Sequence, residues 1–269
     1  MKRLVKRVTG TIVVGVGGSL SRLGRRLLLA LHAHDRPELP APLHVAGYTF
    51  DVVDDLAAYT TLERREVERL LRREIDSFRV EWHTLEPTPQ NETWFYLSSR
   101  TYLFGNAIHF HEAPDLVAAL IELRKPPARA LDFGAGTGNL ALALAAAGLR
   151  TDIVELSALQ KDFIRFRSKH HGLDIGVLDW WDDAALATYD LVCAFDVLEH
   201  LPDLRGTLEL RLLPALAPGG LLAERSPFVR NFSNPMHHED VYDLDALLRS
   251  NGLELEKEAE LFRLWRKPG

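Results

Sequence analysis

The chain has 269 residues, 46% of them apolar, with 32 basic and 38 acidic side chains and a formal net charge of −6. That is too apolar for a disordered chain, and no stretch approaches the ~18 uninterrupted apolar residues of a membrane-spanning helix. The acidic balance argues against a protein that works on nucleic acid. A single cysteine, Cys193, forms no internal disulfide, which fits a reducing, cytoplasmic compartment.

The charge is uneven. Residues 1–34 carry seven basic residues and no acid, so the other 235 residues are net −13. Lys2 to Arg7 followed by Thr11 to Val16 imitates a secretory leader. The apolar run is short and glycine-broken, and basic residues return at Arg22, so a basic arm on an acidic body is the expectation. Gly15, Gly17 and Gly18 imitate a nucleotide loop but lack a helix start behind them. Pro37, Pro40 and Pro42 mark an extended segment. Thr60 and Glu63 have capping-box spacing, and Val67, Leu70, Leu71, Ile75 and Phe78 repeat at helical spacing behind them. A second, aromatic helical stretch is predicted from Asn91 to Phe110, and a third from Pro114 to Arg124. On the second, Tyr96 and Arg100 lie one turn apart, within reach of a ligand.

After Pro127 short apolar runs alternate with helical ones. Strands are predicted at Ala130–Phe133, Asp152–Leu156, Ile175–Leu178, Leu191–Phe195 and Gly220–Glu224, with two closing strands near Leu253–Glu256 and Phe262–Arg266. This alternation predicts an α/β doubly wound sheet, whose ligands sit at the carboxyl ends of the strands.

Those strand ends carry the chemistry. The first is followed by Gly134-Ala135-Gly136-Thr137-Gly138-Asn139. A dinucleotide fingerprint needs its third glycine where Asn139 stands, which speaks against a dinucleotide oxidoreductase. Asp132 beside the turn would repel a pyrophosphate but suits a ligand with an ammonium group. Glu155 ends the second strand, where a carboxylate accepts both ribose hydroxyls. Asp179 and Trp180 follow the third strand, offering an acceptor and a flat face for adenine. Asp196 ends the fourth, within Phe195-Asp196-Val197-Leu198-Glu199-His200-Leu201-Pro202.

Together these motifs resemble the class I S-adenosylmethionine-dependent methyltransferases over roughly residues 116–269. The stretch from Asp196 to Pro202, with Pro235-Met236-His237-His238, is similar to small-molecule O-methyltransferases of the ubiquinone-biosynthesis type. The resemblance implies a Rossmann-like seven-stranded doubly wound sheet. Residues 1–115 would then form an N-terminal arm and helical cap that builds the substrate region.

The resemblance also implies S-adenosyl-L-methionine as cofactor. Its methionine part would lie on Asp132, Phe133, Gly134, Gly136 and Gly138, with Tyr96 and Arg100 closing over it. Glu155 and Leu156 would hold the ribose, Asp179 and Trp180 the adenine, and Phe195, Asp196 and Val197 the sulfonium end. The acceptor would be a small molecule methylated on oxygen or nitrogen, with no metal. RNA or peptide methylation, or a non-catalytic cofactor-binding protein of the same fold, are the alternatives.

His200, His237 and His238 are the catalytic candidates. Either His200 or His237 would act as a general base with a pKa near neutrality. Two other readings remain. Asp196, Glu199, His200 and one of His237 or His238 could bind a divalent cation, or Glu199 and His200 could only shape their loop.

Overall fold

A computed structural model describes residues 38–86, 88–109, 114–123, 128–179, 188–230, 236–238, 243–259 and 261–269. The basic arm, Gly15 to Gly18, Phe110, His111 and Trp180 lie outside these residues.

A small hairpin, β1 (Leu43–Val45) and β2 (Tyr48–Phe50), occupies part of the expected extended segment. A helix absent from the sequence reading follows, α1 (Val52–Thr60). Asp51 caps it, its carboxylate accepting from the backbone N–H groups of Val53 and Asp54. The Thr60/Glu63 capping box does not form. Thr60 ends α1 with its hydroxyl on the Leu56 carbonyl, and Glu63 precedes α2 (Arg64–His83) without a side-chain cap.

The aromatic stretch is two helices, α3 (Pro89–Ser98) and α4 (Thr101–His109). Ser99 breaks it. Its Oγ accepts from the Tyr102 N–H and donates to Glu81 on α2, which ends one helix and caps the next. α5 (Pro114–Leu123) then leads into the sheet.

The sheet alternates as predicted: β3 (Arg129–Phe133), α6 (Asn139–Ala146), β4 (Arg150–Glu155), α7 (Ala158–His170), β5 (Ile175–Asp179) and β6 (Tyr189–Phe195). A single 3₁₀ turn, Leu198–His200, leads to α8 (Leu204–Thr207), which runs on through a π-helical turn to Ala215. β7 (Leu216–Arg225), α9 (Leu244–Ser250), β8 (Glu254–Glu258) and β9 (Arg263–Arg266) close the chain. The strand order is β5-β4-β3-β6-β7-β9-β8, parallel from β5 to β7, with β9 antiparallel to both its neighbours.

Alternation along each strand builds two apolar layers. Leu191, Cys193 and Phe195 of β6 face one layer with Leu140 and Leu144 of α6; Val192 and Ala194 face the other with Leu208 and Leu248. Cys193 is fully buried there, a small apolar side chain. A third cluster joins Leu56, Leu71, Trp82, Phe95 and Leu103 of the preceding helices to Phe163 of α7 and Met236. Those helices therefore share their core with the sheet unit.

The chain leaves β3 outward to β4 and β5, then returns to β6 on the other side. The crevice between β3 and β6 is the topological switch point, where such sheets bind ligands.

Candidate active site

A cavity of about 540 Å³ opens at this switch point. Its inner part is lined by Gly134, Glu155, Leu156, Asp196 and Val197 from the strand ends, and by Asn106 and Tyr102 from α4.

The glycine turn is built for close approach. Gly134 has φ +75, and a Cβ there would lie 2.4 Å from Val197 Cγ2. Any side chain would close the crevice between the β3 and β6 ends. Gly136 has φ +55, and a Cβ there would meet the Asn106 amide at 2.8 Å. Asn106 is 3% exposed and donates to Gln160 at 3.1 Å, so α4 seals the turn from above.

Glu155 supports the turn from the side. One carboxylate oxygen accepts from the Gly136 N–H at 2.9 Å and the other from the Ser157 N–H at 2.9 Å. Burial pushes its carboxyl above the ordinary value of 4.5, against those backbone hydrogen bonds. Arg167 holds the turn from behind. Fully buried, it donates to the Thr137 carbonyl and Asn139 Oδ1, both at 2.7 Å, and to Asp55 of α1 at 2.7 Å. His171 bonds the other Asp55 oxygen at 2.9 Å.

Asp196 sits at φ +50, an uncommon backbone state for an L residue. Arg225 of β7 grips both its carboxylate oxygens and holds it there.

The outer part of the cavity lies between α3 and the segment after β6. Glu92, Thr93 and Tyr96 face Leu201, Gly206 and Leu210 across it. Tyr96 Oη is 3.0 Å from His200 Nδ1, and the Met236 carbonyl is 3.2 Å from the same nitrogen. The carbonyl only accepts, whereas the Tyr96 hydroxyl can donate or accept: the ring proton sits on Nδ1 when it is shared with Met236, and on Nε2 when Tyr96 donates to Nδ1. His237 also faces a carbonyl, with Nδ1 2.8 Å from that of Pro227. The two rings meet edge to face at 4.7 Å. His238 Nε2 is 3.4 Å from Glu92.

Burial pushes His200 down to about 3, with His237 beside it adding to the effect, and lowers His237 as well. At neutral pH the His200 ring is therefore uncharged, and its pKa lies below the near-neutral value expected from the sequence. Glu199, fully buried, is pushed up to about 9 by burial, reinforced by Asp196 and Glu224.

A family model described as a methyltransferase domain matches residues 106–267. The chain belongs to this methyltransferase family. No curated protein matches it in sequence. Among solved structures it is similar to the [4+2]-cyclase SpnF, with 16% identity, TM-score 0.49, and coverage of 57% of this chain and 80% of that one. It is also similar to the CurJ carbon methyltransferase, at 14% identity and TM-score 0.47, covering 81% and 70%. A third is the Burkholderia thailandensis 1,6-didemethyltoxoflavin-N1-methyltransferase with bound S-adenosylhomocysteine, at 20% identity and TM-score 0.44, covering 57% and 76%.

The methyltransferase takes S-adenosylmethionine as cofactor. The residues of the crevice fit it: a glycine cradle that side chains would fill, with a buried carboxylate at the adjoining strand end. Of the sequence-derived residues, Gly134, Glu155, Leu156, Asp196, Val197, Tyr96 and His200 line one cavity. Asp132, Phe133 and Phe195 are buried in the strands beneath, and Gly138 starts α6 against Ile164.

Two of the expected cofactor residues, like His237 and His238, stand outside this lining. Arg100 stands exposed in the break made by Ser99 and is not among the lining residues. Asp179 is exposed and ion-paired to Lys161 of α7, also outside the lining. Asn106, Glu92, Thr93 and the mouth residues Leu210 and Arg211 were not foreseen. A lone amide within the apolar run Leu103-Phe104-Gly105-Asn106-Ala107-Ile108 was the one visible sign of Asn106.

Proposed function

We propose that this methyltransferase methylates an oxygen or nitrogen of a small, largely apolar molecule. Residues 1–115 would serve as arm and cap, and residues 116–269 as the cofactor-binding core. The observation that carries this reading is the shape of the site. The cavity of about 540 Å³ holds both the cofactor crevice and, beyond it, an outer part walled by Tyr96, Leu201 and Leu210, which leaves room for an acceptor of small-molecule size.

The cofactor supplies an electrophilic methyl group on its sulfonium. The chain's residues do the rest by placement. Glu155 accepts the ribose hydroxyls, and the glycine turn gives the methionine part room beside Asp132. Asp196 and Val197 form the floor on which the methyl group faces outward. α3 and α4 hold the acceptor over that floor and exclude water, so donor and acceptor meet in near-attack geometry. His200 stands at the acceptor end, with His237 edge-on against it and His238 beside Glu92, and the neutral His200 ring orients the acceptor rather than taking its proton. The single buried cysteine favours a reducing, cytoplasmic setting.

Calorimetry with S-adenosylhomocysteine and with NAD, followed by label transfer from S-adenosylmethionine to a panel of phenols, catechols and heteroaromatic amines, tests the reading. The homocysteine product should bind and NAD should not. Glu155→Ala should weaken binding by about 1.5–3 kcal/mol per charge-assisted hydrogen bond lost. Tight NAD binding would overturn the reading. So would label passing to protein or RNA with none to any small molecule.

A further inference from the structure

Glu199 is fully buried, and neither of its carboxylate oxygens has a hydrogen-bond partner among the described residues. Leaving such a group unsatisfied is costly unless something absent from the bare chain completes it. Its neighbours say what that is. His237 Nε2 lies 4.0 Å from Glu199 Oε1, and one donor atom each from Glu199, His200 and His237 lie within 4.8 Å of one another. Two ligands at about 2.1 Å from a common ion sit about 3–4 Å apart, so the His237–Glu199 pair is at coordination spacing and an ion would draw the cluster slightly inward.

The imidazoles are set for the same purpose. His237 gives its Nδ1 proton to the Pro227 carbonyl, while His200 Nδ1 faces both the Met236 carbonyl and the Tyr96 hydroxyl. The His237 hydrogen bond fixes that ring and leaves its Nε2 as the donor, the arrangement found behind metal-bound histidines. Asp196, a ligand in the wider set considered from sequence, is occupied by Arg225.

We infer that Glu199, His200 and His237 hold a divalent first-row transition-metal ion at the acceptor end of the cavity. The inference rests on the methyltransferase reading of that cavity. Two nitrogens and one carboxylate suit Zn²⁺, Fe²⁺ or Co²⁺ better than the all-oxygen shells of Ca²⁺ or Mg²⁺. Three protein ligands leave coordination positions open, as in catalytic rather than structural sites. His200 lines the cavity, so an open position can meet the acceptor. An acceptor hydroxyl there gives its proton to water. An oxygen lone pair then forms the bond to the methyl carbon as the carbon–sulfur bond breaks, its electron pair staying on sulfur.

The test uses the full chain, stripped with chelator and titrated with Co²⁺ alone, read by calorimetry and by the visible absorption of the bound ion. One Co²⁺ per chain is expected. Glu199→Gln and His237→Ala should each weaken it by at least about 100-fold. His170→Ala, at an exposed position outside the cluster, should not change it. Affinity for S-adenosylhomocysteine, measured on the same samples, reports folding and the cofactor site separately. If a variant loses that affinity too, His237→Gln, which keeps side-chain volume and a donor for the Pro227 carbonyl, replaces it and must still lose Co²⁺. A parent chain that takes up no ion, or folded variants that bind Co²⁺ as tightly as the parent, would overturn the inference while leaving cofactor binding intact.

Discussion

Asp55→Ala tests how the helices before the sheet are tied to the cofactor turn. Asp55 is 2% exposed and Arg167 is fully buried, their atoms 2.7 Å apart. Burial lowers the Arg167 pKa, and Asp55 is the chief influence opposing it. Removing the carboxylate leaves a buried guanidinium with the Thr137 carbonyl and Asn139 as its hydrogen-bond partners among the described residues, neither of them charged, and it strands His171. Breaking a buried pair from one side costs about 3–5 kcal/mol. At roughly 2–4 °C per kcal/mol, Tm should fall by on the order of 10 °C.

The same guanidinium shapes the glycine turn, so affinity for S-adenosylhomocysteine should also drop, by about tenfold or more. Thermal denaturation by circular dichroism and calorimetry read the two effects. Asp55→Ala combined with Arg167→Met removes the stranded charge and should be less destabilised than Asp55→Ala alone. A cost under about 1 kcal/mol for the single variant, or strict additivity in the double variant, would refute the argument.

Gly134→Ala places a Cβ 2.4 Å from Val197 Cγ2 at φ +75. Overpacking of this kind costs about 1–3 kcal/mol, and isothermal titration should show cofactor binding lost, with partial recovery when Val197→Ala is added. Glu155 gives opposite pH signs for two measurements. Its raised pKa in the folded chain means that its contribution to stability is greatest at low pH and is lost as pH rises through that value. In the proposed site its ionised form would accept the ribose hydroxyls, so cofactor affinity should instead fall as pH drops through the same value, and Glu155→Gln should flatten both profiles.

The sheet was legible because strand and helix periods alternate after Pro127 and each strand ends on residues of distinct chemistry. Gly134, Glu155 and Asp196 could be placed at the crevice from sequence, since the end of a parallel strand is a fixed address in a doubly wound sheet. Local patterns failed where a tertiary contact redirected them. Ser99 looks like part of one long helix until Glu81, brought alongside by α2, holds its hydroxyl and restarts the chain as α4. That break is why Tyr96 enters the cavity and Arg100 does not.

The histidines show the same division. Their residue types and loops were visible in the sequence, but not their environment. Only the packed structure buries Glu199, sets the Nδ1 atoms of His200 and His237 against two backbone carbonyls, and commits Asp196 to Arg225. The sequence by itself determined that Gly134, Glu155 and Asp196 stand at the crevice, because strand ends and spacing are local. Their protonation and partners were decided by tertiary structure alone, because burial and ion pairing depend on neighbours contributed by distant parts of the chain.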